Sequence, residues 1–169
     1  MKKFLIVLFV IVLVLAAVGF LIPHDYSVEE SVVIDAKPSD VHDLVGDLRR
    51  WDDWMPWKEM DPTIQVTYGK DTKGVGASQT WTGKDGNGSV RITASDDDKG
   101  IEYDMSMDEM PAKGAIRYER VGDSTKVTWT MSGAIDKPVI GGYFALLMPR
   151  MMGGSFEKGL EKLKSQAEK

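Results

Sequence analysis

The chain has 169 residues, a formal net charge of −5, no cysteine and two histidines. Without cysteine there are no disulfides, thiolate zinc sites, iron–sulfur clusters or cysteine nucleophiles, and His24 and His42 alone are too few for a multi-histidine metal centre. Beyond the first 22 residues 147 remain, enough for one domain with its own core; they carry 19 basic and 26 acidic residues and no basic stripe that would neutralise nucleic-acid phosphates.

From Phe4 to Ile22 run 19 uncharged residues, all apolar except Gly19. As a helix this run is about 28 Å long, close to the hydrocarbon thickness of a bilayer. It exceeds the apolar region of a cleavable signal, about 7–15 residues. Its weak cleavage-like triplet, Ala17-Val18-Gly19, is followed by further apolar residues. The expected organisation is therefore a transmembrane anchor at 1–22, with a removed signal peptide as the alternative, a short tether at 23–27 and a domain at 28–169. Lys2 and Lys3 precede the run, whereas His24, Asp25, Glu29 and Glu30 follow it. By the positive-inside rule the amino terminus is cytoplasmic and the domain extracytoplasmic in a single-pass cell-membrane protein, periplasmic if the cell is Gram-negative. Five tether residues reach at most about 17 Å, which keeps the domain near the bilayer.

After Pro23 there is no repeat and no low-complexity tract. Period-2 alternation predicts seven strands, carried by Val32 and Ile34; Ile64, Val66 and Tyr68; Ala77, Gln79 and Trp81; Val90, Ile92 and Ala94; Ile101, Tyr103, Met105 and Met107; Ile116 and Tyr118; and Val127, Trp129 and Met131. Their neighbours are polar, which predicts an antiparallel sheet with one wet face. The turn sequences Asp85-Gly86-Asn87-Gly88, Asp96 to Gly100 and Gly122-Asp123-Ser124 predict a meander of hairpins from about Ile64 onward. Between the first two strands, Val41, Leu44, Val45 and Leu48 have helical spacing behind Pro38, and Trp51, Trp54 and Trp57 put three tryptophans into seven residues. From Val139 to about Lys164 the spacing is again helical, with Gly141-Gly142, Pro149 and Gly153-Gly154 predicting a kinked or two-part helix.

Strand, short helical pair, six-strand meander and long final helix is the order of the α+β helix-grip fold, a curved seven-stranded antiparallel sheet around the carboxy-terminal helix. The stretch DAKPSDVHDLVGDLRRWDDWMPW resembles the first strand end and helical pair of the polyketide cyclase/dehydrase-like branch of the SRPBCC superfamily, which includes START-related and birch-allergen-like domains. GVGASQTWTG, GSVRITAS and TKVTWTMSG are similar to later strands of that branch. The resemblance runs from about Ser27 to Lys164 and implies a cavity between sheet and helix. It transfers no catalytic motif, because one fold serves many activities.

Chemistry points the same way. Nucleophilic catalysis needs a base, and His42 follows Val41 on the first helix, a position expected to face solvent. There is no Gly-x-Ser-x-Gly, phosphate loop or dinucleotide fingerprint. Asp96, Asp97 and Asp98 are expected at a solvated hairpin tip, and Asp85 to Ser89 fails the calcium-loop pattern. No metal, cofactor or catalytic residue is expected. The inward parity, with the final helix, supplies the candidate lining of a cavity: Tyr68, Gln79, Trp81, Ile92, Tyr103, Met105, Tyr118, Trp129, Met131, Tyr143, Phe144, Leu147 and Met151. Aromatics and thioethers suit an irregular apolar pocket, and Gln79 with the phenols supplies a few orienting groups. The expected function is non-catalytic binding of a hydrophobic small molecule or lipid by a carrier or sensor at the membrane's outer face; no protein partner is legible. The alternatives are a cyclase or dehydratase using tyrosines with Asp104 or Glu102, both on the outward parity, and an interaction module with a solid core. Val139 to Met152 carries one charge, Arg150, and is expected either to be buried or to form a lip that dips into the lipid interface.

Overall fold

The computed structural model describes all 169 residues. Helix α1 (Lys2–Leu21) is followed by strand β1 (Asp25–Ile34), helix α2 (Pro38–Val45), a 3₁₀ segment (Leu48–Asp53) and the short helix α3 (Trp57–Met60). Strands β2 (Gln65–Tyr68), β3 (Ser78–Gly83), β4 (Gly86–Asp96), β5 (Gly100–Met107), β6 (Met110–Val121) and β7 (Ser124–Ala134) then lead to helix α4 (Gly141–Ala167). All seven strands form one antiparallel sheet in the order β1-β7-β6-β5-β4-β3-β2. The expected α+β architecture of sheet, helical pair and long final helix is present.

The apolar parity of the strands makes one face of the sheet, and α2, the 3₁₀ segment and α4 close over it. Pro38 opens α2, where its missing N–H costs nothing, and Val41, Leu44 and Val45 are buried. The Asp47 side chain accepts the Arg49 N–H at 3.0 Å and so caps the 3₁₀ segment. From α4, Phe156, Leu160 and Leu163 enter the core. Gly159 lets the helix approach: a Cβ there would stand 2.9 Å from the Trp129 ring.

Four details differ from the sequence expectation. Strand β1 begins at Asp25, so Asp25–Ser27, expected as tether, pairs with β7. The β3–β4 turn is Lys84-Asp85, and Gly86 to Gly88 belong to β4. Two long-range bonds fix that turn: the Lys84 N–H donates to Thr63 Oγ1 at 3.0 Å and the Asp85 N–H to Asp61 Oδ2 at 3.3 Å. Ala94 is exposed because a bulge between Ile92 and Ala94 shifts the register and reverses the facing of the residues beyond it. Finally, α4 is one helix continuous through Pro149 and not two parts. A proline removes one donor, and the helix has buried residues on both sides of it, at Ala145 and Gly153.

Candidate functional site

Antiparallel partners share a face, so the register divides the concave side into rows. One row joins Ile92, Tyr103, Gly114, Met131 and Val28, and a parallel row joins Ile101, Ile116 and Trp129. These side chains are buried and fill their half of the concavity. Trp129 stacks on Phe156, makes edge contacts with Trp54 and Trp57, and donates its indole N–H to the Tyr103 hydroxyl at 2.8 Å. Burial pushes the Tyr103 phenol up to about 12. Trp51 and Trp54 donate to the Val45 and Leu44 carbonyls at 2.8 and 3.2 Å, which fixes the tryptophan-rich connection over the sheet. The resulting block is solid.

A further row runs Tyr68, Gln79, Val90, Met105, Ala112, Gly133 and Tyr26, and beyond it lie Val66, Trp81 and Gly88. Here Tyr68, Gln79, Trp81, Met105 and Tyr26 are only half-buried, because α4 runs along β1 and leaves the β2–β5 side less covered. The Trp81 ring lies against Gly88, where any Cβ would collide with it. Arg49 stands over the Tyr68 ring with its guanidinium carbon 5.7 Å from the centroid. This is a half-buried, largely aromatic strip with one amide and two phenols. Its end of the sheet is the end at which α1 joins, since Tyr26 is the second residue of β1.

The thirteen candidate residues therefore fall into separate places. Tyr68, Gln79, Trp81 and Met105 lie in the half-buried strip. Ile92, Tyr103, Trp129 and Met131 belong to the filled block. Phe144, Leu147 and Met151 are exposed on α4, and Tyr143 lies against α1, donating its hydroxyl to the Leu15 carbonyl at 2.8 Å. Tyr118 is at the opposite end of the sheet, 3.4 Å from His42 Nδ1.

His42 is the main surprise of the region: expected in solvent, it is 3 % exposed. Its Nε2 meets Ser95 Oγ at 3.1 Å and Asp97 Oδ1 at 3.3 Å. A carboxylate only accepts, so Nε2 carries the proton and Nδ1 is free to accept the Tyr118 O–H. The β4 bulge turns Ser95 inward, a placement that strand alternation does not reveal. Burial lowers the His42 pKa, against the opposing pull of Asp97. Of the other two aspartates in the run, Asp96 accepts the Asp98 and Lys99 backbone N–H groups, and Asp98 pairs with Arg120. Glu102 and Asp104, with Thr93, Lys113 and Arg117, border an open cleft of about 240 Å³ on the convex face. A second, about 530 Å³, lies at the β4–β5 hairpin beside Asp96, Lys99 and Ile101. Neither lies between the sheet and α4.

A seven-stranded antiparallel sheet gripping its last helix defines the helix-grip class. The family model described as polyketide cyclase/dehydrase and lipid transport matches residues 25–168, and the chain belongs to that family, within the SRPBCC superfamily. Solved structures repeat the fold. The KanY protein (ms6282) is 14% identical with a TM-score of 0.65, covering 86% of this chain and 99% of that one. CV1439 from Chromobacterium violaceum is 13% identical with a TM-score of 0.63, covering 85% and 97%. Ara h 8.0201 is 14% identical with a TM-score of 0.59, also covering 85% and 97%. No curated protein matches the sequence significantly.

Proposed function

We propose that the protein binds a hydrophobic small molecule or lipid, without covalent chemistry, in the groove lined by Tyr68, Gln79, Trp81 and Met105, at the outer face of a membrane that α1 spans. The observation that carries this reading is the half-buried apolar row itself. A chain that packs Trp54, Trp129 and Phe156 completely leaves a tryptophan, a methionine and two tyrosines only partly covered along one strip. Apolar walls with few polar groups are the usual composition of a small-molecule site. The strip lies at the anchor's end of the sheet, which suits a ligand that arrives from lipid. The family description, which includes lipid transport, supports the same class of ligand. The cyclase alternative loses its proposed carboxylates, because Glu102 and Asp104 point away from the groove on the convex face.

The test is photo-crosslinking of the full-length chain in nanodiscs with a diazirine fatty acid. Binding in the groove puts adducts on the segments around Trp81 and Met105. Adducts confined to α1 and α4 would mean contact with bulk lipid only and would overturn the reading.

A further inference from the structure

Helix α1 does not hang from the domain on a loose tether. Gly19 is the one buried residue of α1, and an added Cβ there would collide with the Val139 carbonyl and approach Tyr143. Opposite it, Gly142 is in contact with Ile22, where a Cβ would stand 2.7 Å from that residue's own Cβ. The Tyr143 hydroxyl donates to the carbonyl of Leu15. Small residues that let two backbones approach are a recurrent means of helix contact in membranes. Val139 has φ of 67°, a left-handed conformation costly for a β-branched residue, and its carbonyl is the one directed at Gly19. The Gly141-Gly142 pair, expected to loosen this helix, instead seats it.

This clamp sets a depth. Leu15 lies six residues before the end of α1, about 9 Å along the helix axis. The first turn of α4 therefore sits beside the last two turns of the apolar helix. On the face of α4 turned from the domain, Ile140, Phe144, Leu147 and Met151 recur at helical spacing and are 48 to 63 % exposed. A soluble domain gains nothing by presenting such a stripe at that place, whereas burial of about 5–10 Å into a headgroup–acyl boundary is typical of interfacial helices.

We infer that the amino-terminal half of α4 is an interfacial membrane helix, held by the Gly19–Val139 and Tyr143–Leu15 contacts so that Phe144, Leu147 and Met151 enter the lipid leaflet on the domain's side. The occupant is the bilayer: the stripe starts at the turn of α4 that packs against the end of the apolar helix α1, and the domain's acidic charge leaves the contact hydrophobic. This deepens the proposed function, since it rests on α1 spanning the membrane and brings a second element of the domain into contact with lipid.

The absence of native cysteine permits a direct test. Single cysteines at Val10, Phe144, Leu147 and Asp123 in the full-length chain are labelled with an environment-sensitive nitrobenzoxadiazole dye in phosphatidylcholine–phosphatidylglycerol nanodiscs. Lipids carrying shallow doxyl groups are expected to quench positions 144 and 147 at least twofold more than position 123. Quenching at position 10 but not at 144 or 147 leaves the spanning reading intact and overturns the interfacial helix. No doxyl quenching at position 10 overturns the spanning reading and this inference with it. Positions 144 and 147 shielded from aqueous iodide but untouched by doxyl lipid would mean a protein partner or second copy, and would overturn the inference.

Discussion

Trp129 and Phe156 lie face to face, ring centroids 3.9 Å apart and planes within 10°. One comes from the middle of β7 and the other from α4, so this stack is where the sheet grips the helix. Both side chains are essentially without solvent contact. Phe156→Ala is expected to cost about 3–5 kcal/mol, the range for truncating a buried aromatic. Thermal and urea unfolding measure it. A loss below about 1 kcal/mol would show that the grip is held elsewhere.

Gly114 lies across from Tyr103, whose ring occupies the space a Cβ would need. Gly114→Ala is expected to displace that ring, weaken the Trp129 bond and destabilise the domain by about 1–3 kcal/mol. In the native protein Tyr103 is expected to ionise near pH 12, later than an ordinary phenol. Ultraviolet difference titration of wild type against Tyr103→Phe detects that late step.

The pH dependence near neutrality is expected to follow His42. Burial lowers its folded pKa below the ordinary 6.5, so the unfolded chain binds the proton more readily. The stabilising contribution of the neutral ring is complete above pH 6.5. It is lost progressively as pH falls from there through the depressed folded value. Protonation also removes the acceptor for the Tyr118 hydroxyl. Urea midpoints from pH 8 to pH 5 should decline in wild type and decline less in His42→Gln; equal slopes would assign the effect to other groups.

Glu59 bridges α3 to α4 through Lys158, at 2.6 Å, and Lys162. Hydrogen bonds from those two lysines hold its carboxyl down at about 2. A depressed carboxylate stabilises the fold above its unfolded pKa, and the contribution disappears as pH falls from about 4.5 toward 2. The group is exposed, so Glu59→Gln is expected to alter stability little at pH 7 and less still in high salt. A carbon-detected titration of Glu59 checks the depressed value.

Groove occupancy is expected to depend on Trp81. Trp81→Ala should lower fatty-acid crosslinking near Met105 several-fold while circular dichroism keeps the strand signature, because Trp81 lies on the uncovered side, away from the filled block. An unchanged yield would place the ligand elsewhere.

Much of this was legible along the chain. Alternation in Tyr103, Met105 and Met107 and in Val127, Trp129 and Met131 reported the strands, because period 2 is a local consequence of the pleat. Leu160 and Leu163 reported the gripping helix for the equivalent reason. His42 was not legible: its neighbour Val41 marks the core stripe of α2, but the hydroxyl and carboxylate that receive the imidazole come from a hairpin more than fifty residues away. Ser95 reaches it only through a bulge, which one extra residue creates without a compositional signal. The candidate site dispersed for a related reason. Parity names the face of a strand, and the helix laid over that face decides which of its residues are covered.

The split between a greasy first segment and an acidic remainder, the seven alternating strands and the final helix were determined by the sequence alone, since hydrophobic length and periodicity act within a few residues. Only the tertiary structure decided how the parts are joined. It set α4 along β1, filled one half of the concavity with Trp129 and Phe156 and left Trp81 and Met105 half-covered. It also turned Gly142 from an expected interruption of the helix into a seat, with Gly19, for α1. Such relations depend on which distant backbones come within contact distance, and no local spacing of residue types encodes that.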